Sequence, residues 1–485
     1  DYDSTRRGAG RVYTPFDVTR YMCEQVIPAL VRRCETYRSF RKLRIIDPAC
    51  GSGAFLTQAS RVLIREANSR WPEKEVEISR AVFSEILHGV DIDGFAVSLC
   101  RLVLWMEAGA PPEPVGFCLC EFDSLSLGGS PSISEWEEAT ELGAKEGYDL
   151  WIGNPPYVRI RPVEFEGFEH RNVRNLYALF CELGISLTRD SGIFSMIVPQ
   201  SVVGSRDAES LRSYIIDIQG SVRFQVFDSV PDFLFDQGKI ESNTNTNINQ
   251  RTTIVSVEKG RPEILQTSPL LRWRRSERNH LFDNLRCLKI TRDDMYGGKI
   301  PMVGSEEELA LLRELLQVEP TISGAIGEGS NNLFMTKAVR YFITALPESL
   351  GRPNSINLHM SEEDFPSIHV LLNSNVFYWW WRVFGNGFQV EIGDIESFPM
   401  LPLDSKRATE LSERLIAAEA SCRVVKRNAG KDIPNINFNY SMELLSEIDR
   451  EILSSFADIV PDFILRSKSN SLHGIMDELV GYSEA

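Results

Sequence analysis

The segment "LRIIDPACGSGAFL", Leu43 to Leu56, joins a short apolar run to a glycine-rich turn and then to an amphipathic stretch. Phe55, Leu56, Ala59, Val62 and Leu63 recur at helical spacing, which predicts strand, loop and helix in succession over residues 43–70. The pattern repeats in "ILHGVDID" before "FAVSLCRLVLWMEAG", and in "LYALFCELGISLTRD" before "GIFSMIVPQ". Further strand-like runs are "VGFCLCEFD", "YDLWIG", "RFQVFD" and "TIVSVEKG". Such alternation predicts an α/β fold, a doubly wound and mainly parallel sheet with helices on both faces. In these sheets ligands bind outside the carboxyl ends of the strands.

The pattern loosens after "RFQVFD" into the Asn/Thr-rich "QGKIESNTNTNINQRTT", which reads as a loop. A domain change is expected near Gly260 to Pro269, giving a first domain over 1–262 and a second over 263–485. The second is less regular, consistent with a mixed α/β domain. It holds an aromatic cluster, "VFYWWWRVFGNGF" from Val376 to Phe388, open to two readings: a packed core or a stacking platform for bases. Amphipathic helices are expected at about Ala408 to Arg427 and Met442 to Phe456.

Composition excludes several classes. A formal net charge of −16 argues against coating nucleic acid by bulk electrostatics, though not against a local basic cleft. From Leu271 to Arg292 there are seven basic residues (Arg272, Arg274, Arg275, Arg278, Arg286, Lys289, Arg292) against two acidic ones, and residues 1–44 are also basic. Nine cysteines without a CxxC pair fit reduced thiols in a cytoplasmic protein, with neither a disulfide frame nor a metal site. Cys118 and Cys120, two apart in a strand, share a face and read as packing residues. No run of about 18 apolar residues predicts a membrane span, and no signal-like start is visible.

Four segments fall where strands of the first domain should end. "DPACGSGAF" places glycines between strand and helix, where backbone can approach a ligand closely, and the absence of a following lysine separates it from the phosphate-binding GxxxxGK[ST] loop. "GVDID" ends on Asp91, which suits ribose hydroxyls or, equally, a helix cap. "EFDSL" carries Asp123 to the same edge, where it could accept from an adenine amine. "DLWIGNPPYV" ends on the elbow Asn154, Pro155, Pro156 and Tyr157.

Together with "GRVYTPFDV" at Gly10 to Val18, these segments resemble in kind and order the γ-class S-adenosylmethionine-dependent DNA adenine-N6 methyltransferases of restriction-modification and related anti-phage systems, the NPPY type. The resemblance covers about residues 8–260 strongly and the rest weakly. It implies a Rossmann-like methyltransferase domain followed by a target-recognition, DNA-binding domain with C-terminal helices. It implies S-adenosyl-L-methionine as cofactor: Thr14 at its methionine part, Asp47, Ala49, Cys50, Gly51 and Gly53 along its methionyl and sugar side, Asp91 on the ribose, and Ile92 and Asp123 at the adenine. Cys50 is then a small packing residue. The implied partners are double-stranded DNA and nuclease or other defence-system subunits, with no membrane. In the second domain "FGNGFQVEIGDIESFPMLPL" and "LLSEIDREILSSF" resemble recurrent recognition-domain elements, and Arg272, Arg274, Arg275 and Arg278 are candidate DNA contacts.

The chemistry follows from the elbow itself. An exocyclic adenine amine is a weak nucleophile because its lone pair is delocalised into the ring. Two adjacent acceptors, the side-chain oxygen of Asn154 and the carbonyl of Pro155, would localise it, and proline holds its carbonyl rigidly. Direct transfer then needs positioning rather than a strong base. The amine is unreachable inside a duplex, so the base must flip out, and stacking on Tyr157 offsets part of that cost. Phe235, with Phe233 beside it, is the candidate second aromatic, and either could instead be core. NPPY alone also fits glutamine-amide methylation of a protein, in which the residues beyond Gly260 have no role. A DNA-recognition subunit active only with partners is the third reading.

Overall fold

The computed structural model describes residues 14–112, 115–235, 250–283, 285–339, 342–352, 354–428, 431–457 and 460–468. Gly10 to Tyr13 of the leading segment and most of the Asn/Thr-rich stretch therefore lie outside the described residues. The chain packs as two compact units: Asp1–Ser229 with Phe233–Gln266, and Val230–Asp232 with Thr267–Ala485.

The first unit contains α1 (Phe16–Arg33), β1 (Ile45–Asp47), α2 (Ala54–Arg70), β2 (Leu87–Asp91), α3 (Gly94–Glu107), β3 (Cys118–Glu121), α4 (Ile133–Thr140), β4 (Tyr148–Gly153), α5 (Leu176–Leu187), β5 (Thr188–Pro199), α6 (Glu209–Ile216), β6 (Gly220–Phe227) and β7 (Thr252–Lys259). Seven strands of the central sheet run in the order β3-β2-β1-β4-β5-β7-β6. The first five are parallel, with Ile45 opposite both Leu87 and Leu150, and β7 runs antiparallel to β5 and β6. This is a Rossmann-like, doubly wound sheet with a reversed strand inserted next to its last. Connectivity reverses direction between β1 and β4, so the crevice for a ligand opens at the carboxyl ends of those two strands.

Local sequence explains the elements around that crevice. All three β1 residues and Leu150 to Gly153 of β4 are buried, as expected for strands covered on both faces. Gly53 adopts φ +89° at the start of α2, a left-handed conformation that glycine reaches without steric cost. An added Cβ there would lie 2.7 Å from Cys100 Sγ on α3, so the tight turn also needs the missing side chain. Trp71 and Pro72 follow the last residue of α2, where proline cannot continue a helix. Asp93 caps α3 by accepting from Phe95 N at 3.1 Å. Eleven of the twelve α5 residues are buried, including Glu182, so this helix lies inside the unit rather than on it.

The second unit includes α7 (Glu306–Leu315), β8 (Asn331–Thr336), β9 (Ala345–Leu346), β10 (Ser355–Met360), α8 (Phe365–Asn373), α9 (Asn375–Phe384), α10 (Ser405–Ala418), the hairpin β11 (Arg423–Asn428) and β12 (Lys431–Ile436), and α11 (Met442–Leu453). The order β9-β8-β10 forms a three-stranded antiparallel sheet, so the unit is mixed α/β. The helix expected to reach Arg427 ends at Ala418. The β-branched pair Val424 and Val425 lies in β11 instead, with Arg423 opposite Ile436. All ten residues of α9 are buried, and its three indole nitrogens each have an acceptor: Trp379 donates to Glu308 Oε1 at 2.7 Å, Trp380 to Ser397 Oγ at 3.1 Å and Trp381 to the Gln389 carbonyl at 3.2 Å. The aromatic cluster is therefore core, and of its residues only Phe388 is largely exposed.

Candidate active site

Three loops meet at the crevice. The first follows β1, where Asp47 is buried and accepts from Ala49 N at 3.2 Å. Burial pushes its carboxyl up to about 8, with the Asp91 charge adding to the rise and the Ala49 hydrogen bond opposing it. Gly153, at the end of the neighbouring β4, approaches so closely that an added Cβ would lie 2.7 Å from Asp47 Oδ1. The first loop is tied to β2 by Cys50 N donating to the Val90 carbonyl at 2.9 Å and Gly51 N to Asp91 Oδ2 at 2.9 Å. Asp91 Oδ1 accepts from Asp93 N at 2.9 Å. Asp91 thus holds the glycine loop in place, and each of its oxygens keeps a lone pair for a further donor.

Cys50 is buried. Its hydrogen bond with Cys100, and then burial, hold its thiol well above the usual thiol range, which disfavours the thiolate. Gly51, at φ +52°, has open space where a side chain would stand. Ile92 follows Asp91 and is 55% exposed, a large apolar side chain left uncovered beside a carboxylate. Asp123 is exposed beyond β3 and accepts from Leu125 N at 3.1 Å. A glycine cradle, a carboxylate, an uncovered apolar residue and a second carboxylate fit a nucleoside-bearing ligand.

The elbow stands beside this cradle. Pro155 is buried, and Pro156 and Tyr157 are half-buried. Asn154 Nδ2 donates to Thr14 Oγ1 at 3.0 Å, which joins the start of the described chain to the end of β4. Asn154 Oδ1 is buried and has no hydrogen-bond partner. An orphaned buried acceptor costs about 1–3 kcal/mol, and this one is left able to take an incoming donor. The Tyr157 hydroxyl donates to the Ile197 carbonyl of β5 at 2.8 Å, which fixes the ring. Phe235 lies edge-on to that ring, with centroids 6.4 Å apart and planes at 78°. Phe235 is thus brought to the elbow, and it is itself buried.

Two supports were not read from the sequence. Glu182, inside α5, accepts from Glu169 N at 3.0 Å and His170 N at 2.9 Å, holding down the segment that follows the elbow. A single carboxylate in the otherwise apolar "LYALFCELGISL" was the available signal. Arg251, just before β7, pairs with Asp228, just after β6, at 2.7 Å in a buried ion pair that ties the ends of these two strands together.

The four arginines do not share one environment. Arg272 is 4% exposed and donates to the Tyr378 hydroxyl at 3.2 Å, so packing within the second unit takes it out of reach of a duplex. Arg274 and Arg275 are exposed and Arg278 is half-buried. Among the described residues no group of side chains is arranged to hold a metal ion, and no helix is long and apolar enough to cross a membrane.

Comparison with known proteins agrees with the crevice. Residues 85–228 match the family model described as Eco57I restriction-modification methylase, and residues 32–111 match that described as MmeI, DNA-methyltransferase domain. The adenine-specific methyltransferase PglX of Streptomyces coelicolor is 27% identical over 192 residues, 33% of this chain and 15% of that protein. A putative type II restriction enzyme and methyltransferase of Methanocaldococcus jannaschii is 28% identical over 142 residues, 21% of this chain and 12% of that protein. The chain thus spans less than a sixth of the length of these curated relatives. A nuclease-deletion mutant of the Type ISP restriction-modification enzyme LlaGI, solved with a DNA substrate mimic, superposes with a TM-score of 0.54 at 12% identity over 85% of this chain and 47% of that one, a likeness of fold.

Proposed function

We propose that this chain is a site-specific DNA methyltransferase that moves the methyl group of S-adenosyl-L-methionine to N6 of a flipped-out adenine in duplex DNA, within a restriction-modification or phage-defence system. The observation that carries the reading is the buried, unpartnered Oδ1 of Asn154, set beside the Tyr157 and Phe235 rings and next to a glycine cradle. Both family models and both curated relatives support the same reaction class.

The cradle fits the cofactor. Asp47, Ala49, Gly51 and Gly53 would line its methionyl and sugar side, with Thr14 at the methionine part, Asp91 would accept from the ribose, and Ile92 and Asp123 would flank its adenine. When bound, the cofactor supplies an electrophilic methyl group on a sulfonium. The residues of the chain do the rest. Asn154 Oδ1 and the Pro155 carbonyl accept from the two N–H groups of the target amine, drawing its lone pair out of conjugation and toward the methyl. Thr14 accepts from Nδ2 and so keeps the amide oxygen turned to the base. Tyr157 and Phe235 hold the flipped ring. The elbow oxygens would hold the amine in line with that methyl group and do not take up its proton, and the surplus proton on the methylated nitrogen would pass to solvent as the base leaves the elbow. Arg274, Arg275 and Arg278 of the second unit are proposed as phosphate or base contacts. Nuclease or other defence-system subunits are proposed partners, and a cytoplasmic setting follows.

Incubation with labelled cofactor and mixed-sequence duplex DNA should place label on adenine N6, and Asn154→Ala should reduce it by about 10²–10³-fold while cofactor binding persists. Label on a glutamine of a protein substrate, with none on DNA, would overturn the reading.

A further inference from the structure

The segment that follows the elbow, residues 158–176, turns back on itself and is braced at its ends and its middle. Leu176 N donates to the Val158 carbonyl at 2.9 Å and Ile160 N to the Arg174 carbonyl at 3.0 Å, which sets Arg159 opposite Asn175 in a single antiparallel bridge. The buried carboxylate of Glu182 fixes the middle through the amides of Glu169 and His170.

Four arginines lie on this segment, and they divide into two kinds. Arg161 Nε donates to Glu164 Oε1 at 2.8 Å, and Arg171 Nη1 donates to the Glu166 and Phe168 carbonyls at 3.0 and 2.7 Å, so both serve the fold of the segment itself. Arg159 and Arg174 are exposed, and among the described residues neither guanidinium has a hydrogen-bond or ion-pair partner. The bridge gathers these two at the end of the segment that joins the elbow. Arg159 is two residues past Tyr157, so the two Cα atoms lie within about 7 Å of each other. Arg174 stands at φ +59°, a left-handed conformation that is uncommon for a residue with a side chain and is concentrated at functional sites. In a chain of net charge −16, two neighbouring guanidiniums left without carboxylates beside the elbow supply local positive charge that the molecule as a whole lacks.

A guanidinium stays charged at any working pH, and its planar fork matches the oxygens of a phosphate. Extrusion turns a nucleotide about its own backbone, so the phosphates on either side of it come to the rim of the pocket that receives the base. We propose that Arg159 and Arg174 grip the phosphodiesters flanking the extruded nucleotide. They are positioning residues that hold the displaced strand at the elbow without reading its sequence. This rests on the proposed function, because it requires a nucleotide to be extruded.

The salt dependence of binding to mixed-sequence duplex DNA tests it on the full chain. Arg159→Gln and Arg174→Gln each lower the slope of log K against log salt by about 1 and weaken binding about equally for all sequences, with the thermal midpoint and cofactor affinity unchanged. Arg159→Lys and Arg174→Lys keep the charge and retain most of the slope. Arg161→Gln, two positions from Arg159 but engaged with Glu164, keeps the wild-type slope and controls for bulk charge. Once the labelled adenine has been located, neutral methylphosphonate linkages on either side of it weaken binding by the wild-type protein several-fold and leave the double glutamine variant unaffected. Suppose instead that the protein methylates duplex DNA while the glutamine variants keep its slope, or Arg161→Gln lowers the slope equally, or the neutral linkages weaken the double variant as much as the wild type. Each of these overturns the clamp and leaves the proposed function standing. Label on a protein glutamine with none on DNA overturns both.

Discussion

Two of the molecule's aromatic groups differ in what surrounds them, although Phe235 of the smaller one is buried as the tryptophans of the larger one are. Trp379, Trp380 and Trp381 are fully enclosed, and each indole N–H is satisfied by Glu308, Ser397 or Gln389. Tyr157 and Phe235 are only two rings, one half-buried, and they stand beside an amide oxygen that has no partner. A dense aromatic run marks a core when its polar atoms are satisfied. A sparse pair marks a site when the neighbouring polar atom is not.

The comparison can be broken by mutation, and the largest effect is expected in the second unit. Trp380→Ala should lower stability by about 3–5 kcal/mol, read from chemical denaturation, with no selective loss of turnover in the folded fraction. A fall in activity without a fall in stability would place the tryptophans at a site. Asn154→Ala should do the opposite, reducing methyl transfer by about 10²–10³-fold. Its unfolding midpoint should change little, since the variant removes an unsatisfied acceptor together with the hydrogen bond to Thr14. A large destabilisation there would make Asn154 a structural residue. Phe235→Ala should weaken retention of the extruded base by about 1–3 kcal/mol, read as reduced fluorescence of 2-aminopurine placed at the target position. Unchanged fluorescence would reassign Phe235 to packing.

The smallest effect is one of pH, and it treats the two units alike. His88 in the first and His369 in the second are both pushed down to about 4 by burial. Folded protein therefore binds fewer protons than unfolded chain between about 4 and the ordinary imidazole value of 6.5. Stability from this source is complete above pH 6.5 and declines as pH falls toward 4. His88→Gln and His369→Gln should each flatten part of that decline in urea titrations across the window. If neither does, the acid sensitivity arises elsewhere.

The cradle was legible because its parts are local in sequence. Glycines at Gly51 and Gly53, a carboxylate at Asp91 and the elbow at Asn154 each end a strand-like run, and their roles depend on neighbours a few positions away. The Asn154 to Thr14 hydrogen bond was not legible as such, since it joins positions 140 apart. Arg272 misled for a related reason. In a basic run it reads as solvated, but Tyr378, 106 positions later, takes its guanidinium into the core. The end of α10 was overrun because Val424 and Val425 continue an apolar spacing compatible with either helix or strand, and only the partner strand β12 decides between them.

The order of strands in the central sheet sets a timetable. The switch point that creates the crevice needs β1 beside β4, which pairs Ile45 with Leu150. At ribosomal rates of about 5–20 residues per second, some 5–20 s pass between the emergence of the first strand and that of its neighbour. During that wait the apolar Ile45 and Ile46 have only β2 to pair with, on one edge. The binding crevice therefore cannot form until β4 has emerged, and until then one edge of β1 stands open in the newborn chain.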